Sequence, residues 1–234
     1  MSWTPKRFWK TATVAAEGEG FTVLLDTRKV KTPAKAPLVV PTEGLARLIA
    51  AEWDAQQGTV KPETMPATRM ANSAIDKVVP QYDEVAALLA AYGETDHLCY
   101  RAEKPAALID RQKAAWDPLL DWAAEVLKAP LHTGHGVIHI AQPPESLATL
   151  HDQVRALGNF RLAAFHDLVS LSGSLILAFA VAKDRLDPQT AWEISRIDEV
   201  WQIEQWGEDE EAAELTEAKR LAFHEAARFF ALCQ

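Results

Sequence analysis

The sequence holds few of the residues and patterns that build a site or an address. Two cysteines in 234 residues, Cys99 and Cys233, lie far apart. A secreted disulfide scaffold uses many more, so a reducing compartment is expected. No Gly-x-Gly-x-x-Gly follows a strand and no Gly-Lys-Ser/Thr is present, which excludes the common phosphate loops. The uncharged run Leu168–Ala182 has only 15 residues and contains three serines. It is too short for a membrane span and reads as a buried helix. The first ten residues, Met-Ser-Trp-Thr-Pro-Lys-Arg-Phe-Trp-Lys, lack the apolar core of a secretion signal and the length of a mitochondrial presequence. A cytoplasmic, bacterial protein is the expectation. Positive charge is also scarce beyond residue 77. Residues 1–77 carry 11 Lys/Arg and 8 Asp/Glu, whereas the rest carries 13 and 25. A C-terminal part with that excess of acid repels nucleic acid and suits a partner with basic surface.

What is present divides into two regions. Residues 7–41 read as β structure: Arg7–Ala15 and Phe21–Leu25 around the turn Glu17-Gly-Glu-Gly20, then short strands near Val30 and at Leu38–Val40. Thr42 is an N-cap candidate for a helix carrying Leu45, Leu48, Ile49 and Trp53 on helical spacing, and this set makes Trp53 structural. Beyond it the pattern is helical almost throughout: Ala67–Val79, Gln81–Tyr92, Pro105–Lys128, a helix starting near Ser146, Phe160–Lys183, Pro188–Trp206 and Glu208–Leu232. One strand-like stretch interrupts it at Val137–Ile140. The fold class is α+β: a small β-rich α+β domain over 1–79, followed by an all-α helical bundle over 80–234.

Candidate chemistry is thin. His132, His135 and His139 fall within eight residues, but no cysteine is near and the spacing matches no standard zinc pattern, so a surface turn feeding a strand is preferred. His166 precedes Asp167, yet neighbours on a helix are not expected to face each other. Ser172-Gly-Ser174 lacks the strand-turn-helix context of a nucleophile elbow and reads as small residues permitting close helix packing. Cys99 reads as a small buried hydrophobe. No metal, cofactor or catalytic set is assigned.

The segment Ser195–Glu211 is different. It crowds tryptophans, isoleucines, glutamines and acids together, the composition with which a surface holds another protein. Placed on one helix from Trp192 at about 100° per residue, its apolar residues cover more than half the circumference. Ser195, Asp198, Gln202 and Gln205 form a narrow polar strip, expected to reach the surface. Glu193 and Glu204 intrude on the apolar arc and need partners, for which Arg196 or Arg185 could serve. The expected partner-binding set is Asp198, Glu199, Trp201, Gln202, Gln205, Glu208 and Glu211.

Short motifs through most of the chain carry a resemblance. They are Arg7-Phe-Trp9, Leu25-Asp-Thr-Arg28, Lys31-Thr-Pro33, Ala51-Glu-Trp-Asp54, Thr64-Met-Pro66 and Asn72-Ser-Ala-Ile-Asp76. Further on come Glu94-Thr-Asp96, Leu98-Cys-Tyr-Arg101, Trp116-Asp-Pro118, Leu171-Ser-Gly-Ser174, Arg196-Ile-Asp-Glu199, Trp201-Gln202 and Trp206-Gly207. In this order they resemble the assembly chaperones of the F-type ATP synthase catalytic head, which hold the free alpha subunit. The resemblance implies a two-domain protein without enzymatic activity or cofactor. It implies binding of unassembled alpha subunit until the beta subunit takes its place. From the charge, the short apolar run and the missing motifs, no nucleic acid, membrane insertion or small-molecule substrate is expected. It places the family's important acidic position on Asp198 and its Glu-Trp-Asp tryptophan on Trp53. Relatives in eukaryotes are mitochondrial; this chain suits a bacterial member. Two other classes stay open: a metal-dependent enzyme using the histidine loop, and a general holdase or scaffold.

Overall fold

The structure, a computed structural model, describes residues 6–234; the opening Met-Ser-Trp-Thr-Pro lies outside the described residues. The chain divides into two compact units. The first holds residues up to 82 together with 158–164 and 228–234, and the second holds 83–157 and 165–227. This differs from a linear division at 79 because two later helical segments pack with the N-terminal part, as side-chain contacts described below show.

In the first unit, β1 (Ala12–Glu17) and β2 (Gly20–Leu25) form the expected antiparallel hairpin, with Ala12 opposite Leu25 and Glu17 opposite Gly20. β3 (Arg28–Lys29) and β4 (Val39–Val40) both pair antiparallel with β2. Gly20 is required there: a Cβ would sit 2.6 Å from the Val40 carbonyl oxygen. Helix α1 (Glu43–Asp54) packs on β1 and β2. The Thr42 hydroxyl accepts the Leu45 N–H, as an N-cap should, and itself donates to the Leu232 carbonyl. Val23, Leu25, Leu38, Leu45, Ile49 and Met65 are buried and form this unit's core. Trp53 is half-buried, its ring edge-on to that of Trp9 at 5.3 Å between centroids.

Several of the motifs that carry the resemblance form polar clamps of this unit. The Arg7 guanidinium donates to the carbonyls of Trp9, Lys10, Asp54 and Gln56 and to the Asp54 carboxylate. Glu52 accepts the N–H groups of Ala67 and Thr68 at 2.7 and 2.8 Å, the free donors of the first turn of α2 (Pro66–Ser73). Asp76 accepts the Thr32 hydroxyl at 2.6 Å and the Ala34 N–H at 3.0 Å. Arg161 stacks on Phe230 at 5.1 Å, joining the two later segments.

The second unit is helical: α3 (Tyr82–Ala90), whose first residue belongs to the first unit, then α4 (Ala106–Trp122), α5 (Pro144–Arg155), α6 (Asn159–Ser172), α7 (Leu175–Ala182), α8 (Pro188–Ser195), α9 (Ile197–Trp206) and α10 (Glu210–Leu232). The first turn of α6 and the last residues of α10 are counted with the first unit. A two-strand parallel ladder, β5 (Tyr100–Arg101) with β6 (Gly134–His135), is its only extended pairing among the described residues. Trp116, Leu119, Leu150, Phe165, Trp192, Phe223 and nearly all of α7 are buried. No helix among the described residues is long and apolar enough to cross a membrane.

The uncharged run 168–182 is not one helix. Gly173 takes φ 70° and ends α6, and the Ser174 hydroxyl accepts the Leu177 N–H to start α7. Ser172, Gly173 and Ser174 therefore form a helix junction and not a packing seam. The junction is held by Asp96, which is fully buried. Its carboxylate accepts the N–H groups of Leu98 and Ile176, each at 3.0 Å, and the Ser174 hydroxyl at 2.8 Å. Burial outweighs these bonds and raises its pKa. Two motifs 78 residues apart thus meet in one polar knot, which fixes the segment leading into β5.

Candidate functional site

The segment 188–206 breaks at Arg196 (φ −109°, ψ 12°), so a single helical wheel across it fails. Trp192 and Ile197 are buried, as a core assignment requires. Val200, Ile203 and Trp206 are exposed, Trp206 to 79%. The wide apolar arc is therefore not one buried face: beyond Ile197 its residues reach the surface to differing extents. Gln202 and Gln205 are exposed as the polar strip anticipated, whereas Asp198 is half-buried and Ser195, which lies before the break, is buried. Its carboxylate accepts a 2.6 Å hydrogen bond from Gln112 Nε2 on α4. Gln112 is 1% exposed, and its Oε1 accepts the Ala102 N–H at 2.9 Å. That second bond fixes the amide's orientation, so the NH₂ group must face Asp198.

The acids take other partners than those anticipated. Glu204 is gripped by both terminal nitrogens of Arg111, each at 2.9 Å, and the pair holds the carboxyl pKa below its usual value. The same guanidinium lies over the Trp201 ring at 5.0 Å. Glu193 accepts from Gln189 at 2.7 Å, and Arg196 pairs with Glu199 at 2.8 Å. Asp209 caps α10 by accepting the Ala212 N–H at 2.9 Å. Glu208 and Glu211 are exposed beside it.

These elements border an open groove of about 420 Å³. One side is α9, through Asp198, Trp201, Gln202 and Trp206. The opposite side is the segment around β5, with His97, Tyr100 and Lys104, and the loop after β6, with Val137. Gln112 and Leu108 of α4 form the floor. Trp116, beneath it, donates its indole N–H to the Ile194 carbonyl at 3.1 Å and meets the His97 ring edge at 5.0 Å, tying α4 to α8. Of the seven expected contact residues, Asp198, Trp201 and Gln202 line the groove. Glu199, Gln205, Glu208 and Glu211 lie outside it. Tyr100, Gln112, Val137 and Trp206 line it without having been in that set. Trp206 was legible, since an aromatic at the end of an acid-rich helix is a plausible anchor. The others come from sequence 60 to 100 residues earlier and carry no local signal.

The histidine loop holds no clustered ligands. Among the described residues no three His, Cys, Asp or Glu are placed to hold a metal. The stretch 137–140 is not a strand. The ladder stops at His135, Gly136 takes φ 71°, and Val137 and Ile138 project into solvent. The loop is closed at its base by Gln142, which accepts the His132 N–H at 2.7 Å and donates to the His132 carbonyl at 3.0 Å. His166 and Asp167 do touch, Nδ1 to Oδ1 at 3.0 Å, both about half exposed. The contact raises the imidazole pKa. Cys99 is buried, and burial pushes its thiol up to about 12, which leaves it unreactive.

An open groove of rings and one carboxylate on the helical unit is the kind of surface that holds another protein, and the class of protein is given by comparison with known ones. The family model described as ATP12 chaperone protein matches residues 6–124. The chain is 31% identical over 223 residues to "Protein atp12, mitochondrial" of Schizosaccharomyces pombe, covering 90% of this chain and 76% of that protein. The crystal structure of Atp12 from Paracoccus denitrificans is similar with a TM-score of 0.95 at 50% identity, over 98% of each chain. An aspartate-to-lysine mutant of the same protein matches equally well. The Atu1473 protein of Agrobacterium tumefaciens gives a TM-score of 0.93 at 44% identity, over 99% of this chain and 87% of that one. The chain belongs to the ATP12 chaperone family.

Proposed function

We propose that this chain performs no chemistry of its own and acts in the assembly of the ATP synthase catalytic head. It holds the unassembled alpha subunit and prevents its aggregation until the beta subunit takes its place. Membership of a chaperone family supports the reading. The observation that carries it is the groove beside α9, where Asp198 presents a half-buried carboxylate with no ion-pair partner among the described residues, next to exposed tryptophan. Such a carboxylate is stabilised by a partner's cation, and the rings beside it supply apolar contact. Asp198, Glu199, Trp201, Gln202, Gln205, Glu208 and Glu211 are the proposed contact residues, and the bacterial cytoplasm is the proposed compartment. A tagged chain is used to capture partners from its native cytoplasm, followed by mass spectrometry. Alpha subunit enriched well above other proteins, without beta, is expected. A broad set of unrelated unfolded proteins favours a general holdase instead.

A further inference from the structure

The loop 132–142 reaches the wall of the groove through Gly136 and Val137, and its tip, Val137–Ile138, is apolar and open to solvent. Val137 is 97% exposed and Ile138 79%. A valine this open on a slack loop means little, but this loop is anchored at several points. Its base is bridged twice by the buried amide of Gln142. β6 pairs with β5, and the Gly136 N–H donates to the Arg101 carbonyl at 2.9 Å. The Ile140 side chain packs against Gly134, where a Cβ would lie 2.5 Å from Cδ1. The chain thus holds Val137 outward at a groove whose other wall ends in the exposed Trp206 ring, with the likewise exposed Ile138 next to it in sequence. Exposed apolar surface held in place marks a binding site.

The charges say what fits between them. Asp198 lies on the α9 wall with no ion-pair partner among the described residues. Glu208, Asp209, Glu210 and Glu211 follow Trp206 after a single glycine, Gly207. Of the lining cations, Arg101 is buried and paired with Asp117 at 2.7 Å, which leaves Lys104 exposed at the rim. We propose that the Val137–Ile138 loop and Trp206 form the two jaws of a clamp for an extended client segment in which apolar side chains alternate with lysine or arginine. The apolar side chains enter between the jaws, and the cations meet Asp198 and the acid run. This rests on the client-holding function above and adds the chemistry of the segment held.

The test uses the full chain and fluorescently labelled synthetic 12-residue peptides, one alternating leucine with lysine and one alternating leucine with glutamate. Binding is read by anisotropy at physiological salt. Three variants are compared with the unmodified chain: the double change Val137→Ser and Ile138→Ser, Trp206→Ala, and Val126→Ser, which alters an exposed apolar residue outside the groove. All are checked by thermal unfolding. The serine changes leave the net charge alone, so they separate clamp contact from general attraction to an acidic protein. The lysine peptide is expected to bind at least ten times more tightly than the glutamate peptide. It is expected to lose at least ten-fold in the jaw variants and less than two-fold in Val126→Ser. Equal binding of both peptides, or jaw variants that bind like the unmodified chain, overturns the clamp. Soluble alpha subunit is measured alongside by co-expression. Peptide behaviour as expected with alpha subunit not held removes the proposed client and leaves the clamp. Alpha subunit held equally by all variants removes the clamp and leaves the client.

Discussion

Asp198→Lys is expected to weaken the fold as well as any binding, because Asp198 is not a free surface acid. Its carboxylate takes a 2.6 Å hydrogen bond from Gln112, an amide 1% exposed and locked in orientation by the Ala102 N–H. A hydrogen bond to a charged group contributes about 1.5–3 kcal/mol. Lysine offers no acceptor, so the buried NH₂ of Gln112 loses its partner, and the loss belongs at about 2 kcal/mol once half-exposure of the acid is allowed for. An exposed helical acid would cost within about 0.5 kcal/mol. For a chain of this length about 2 kcal/mol lowers the melting temperature by roughly 4–8 °C. Asp198→Asn keeps an acceptor at the same place and should lower it by less than half as much. Circular dichroism melts of the two variants and the unmodified chain provide the assay. If Asp198→Lys melts within a degree of the unmodified chain, the Gln112 contact does not hold Asp198, and the argument from it collapses. Binding is measured well below the melting range, so that a lost client contact is separated from a lost fold.

Trp53→Arg should destabilise the first unit by about 2–4 kcal/mol, since it removes a ring packed on Trp9 and sets a charge in its place; an unchanged melt would make Trp53 a contact residue. The His166 pKa is raised by its bond to Asp167, so the pair's stabilisation is full below the ordinary value of 6.5 and fades as pH rises through the folded value. His166→Gln should therefore lower the melting temperature slightly, by about a degree, at pH 5.5 and not at pH 9; a larger effect at pH 9 contradicts the sign. The chain purified without added metal is expected to carry far less than one zinc per molecule by elemental analysis. A stoichiometric content that His135→Ala abolishes would show that the histidine loop is a metal site.

The hairpin, the Thr42 cap and the helical character of the rest were legible because each rests on local pattern: alternation around glycines, a hydroxyl before apolar periodicity, long helical spacing. The break at Arg196 was not, because neither glycine nor proline marks it. The excessive width of the apolar arc was the available sign that 188–206 is not a single helix. The break after residue 172 did have a glycine, but small polar residues in an apolar run suit packing and capping equally well. What decides is Asp96, 78 residues away. The groove was half legible. Its α9 wall showed in composition, while Tyr100, Gln112 and Val137 reach it through pairings such as Gln112 with Asp198, 86 residues apart, that no local pattern encodes.

The central claim is that this chain keeps free alpha subunit from aggregating. Alpha subunit is expressed alone, with the unmodified chain, and with Asp198→Lys, all without beta subunit, and the soluble alpha subunit in cleared lysate is quantified. The account expects several-fold more soluble alpha subunit with the unmodified chain, recovered in a complex with it, and a return toward the level of alpha alone with the variant. Equal soluble alpha subunit with and without the unmodified chain would contradict it.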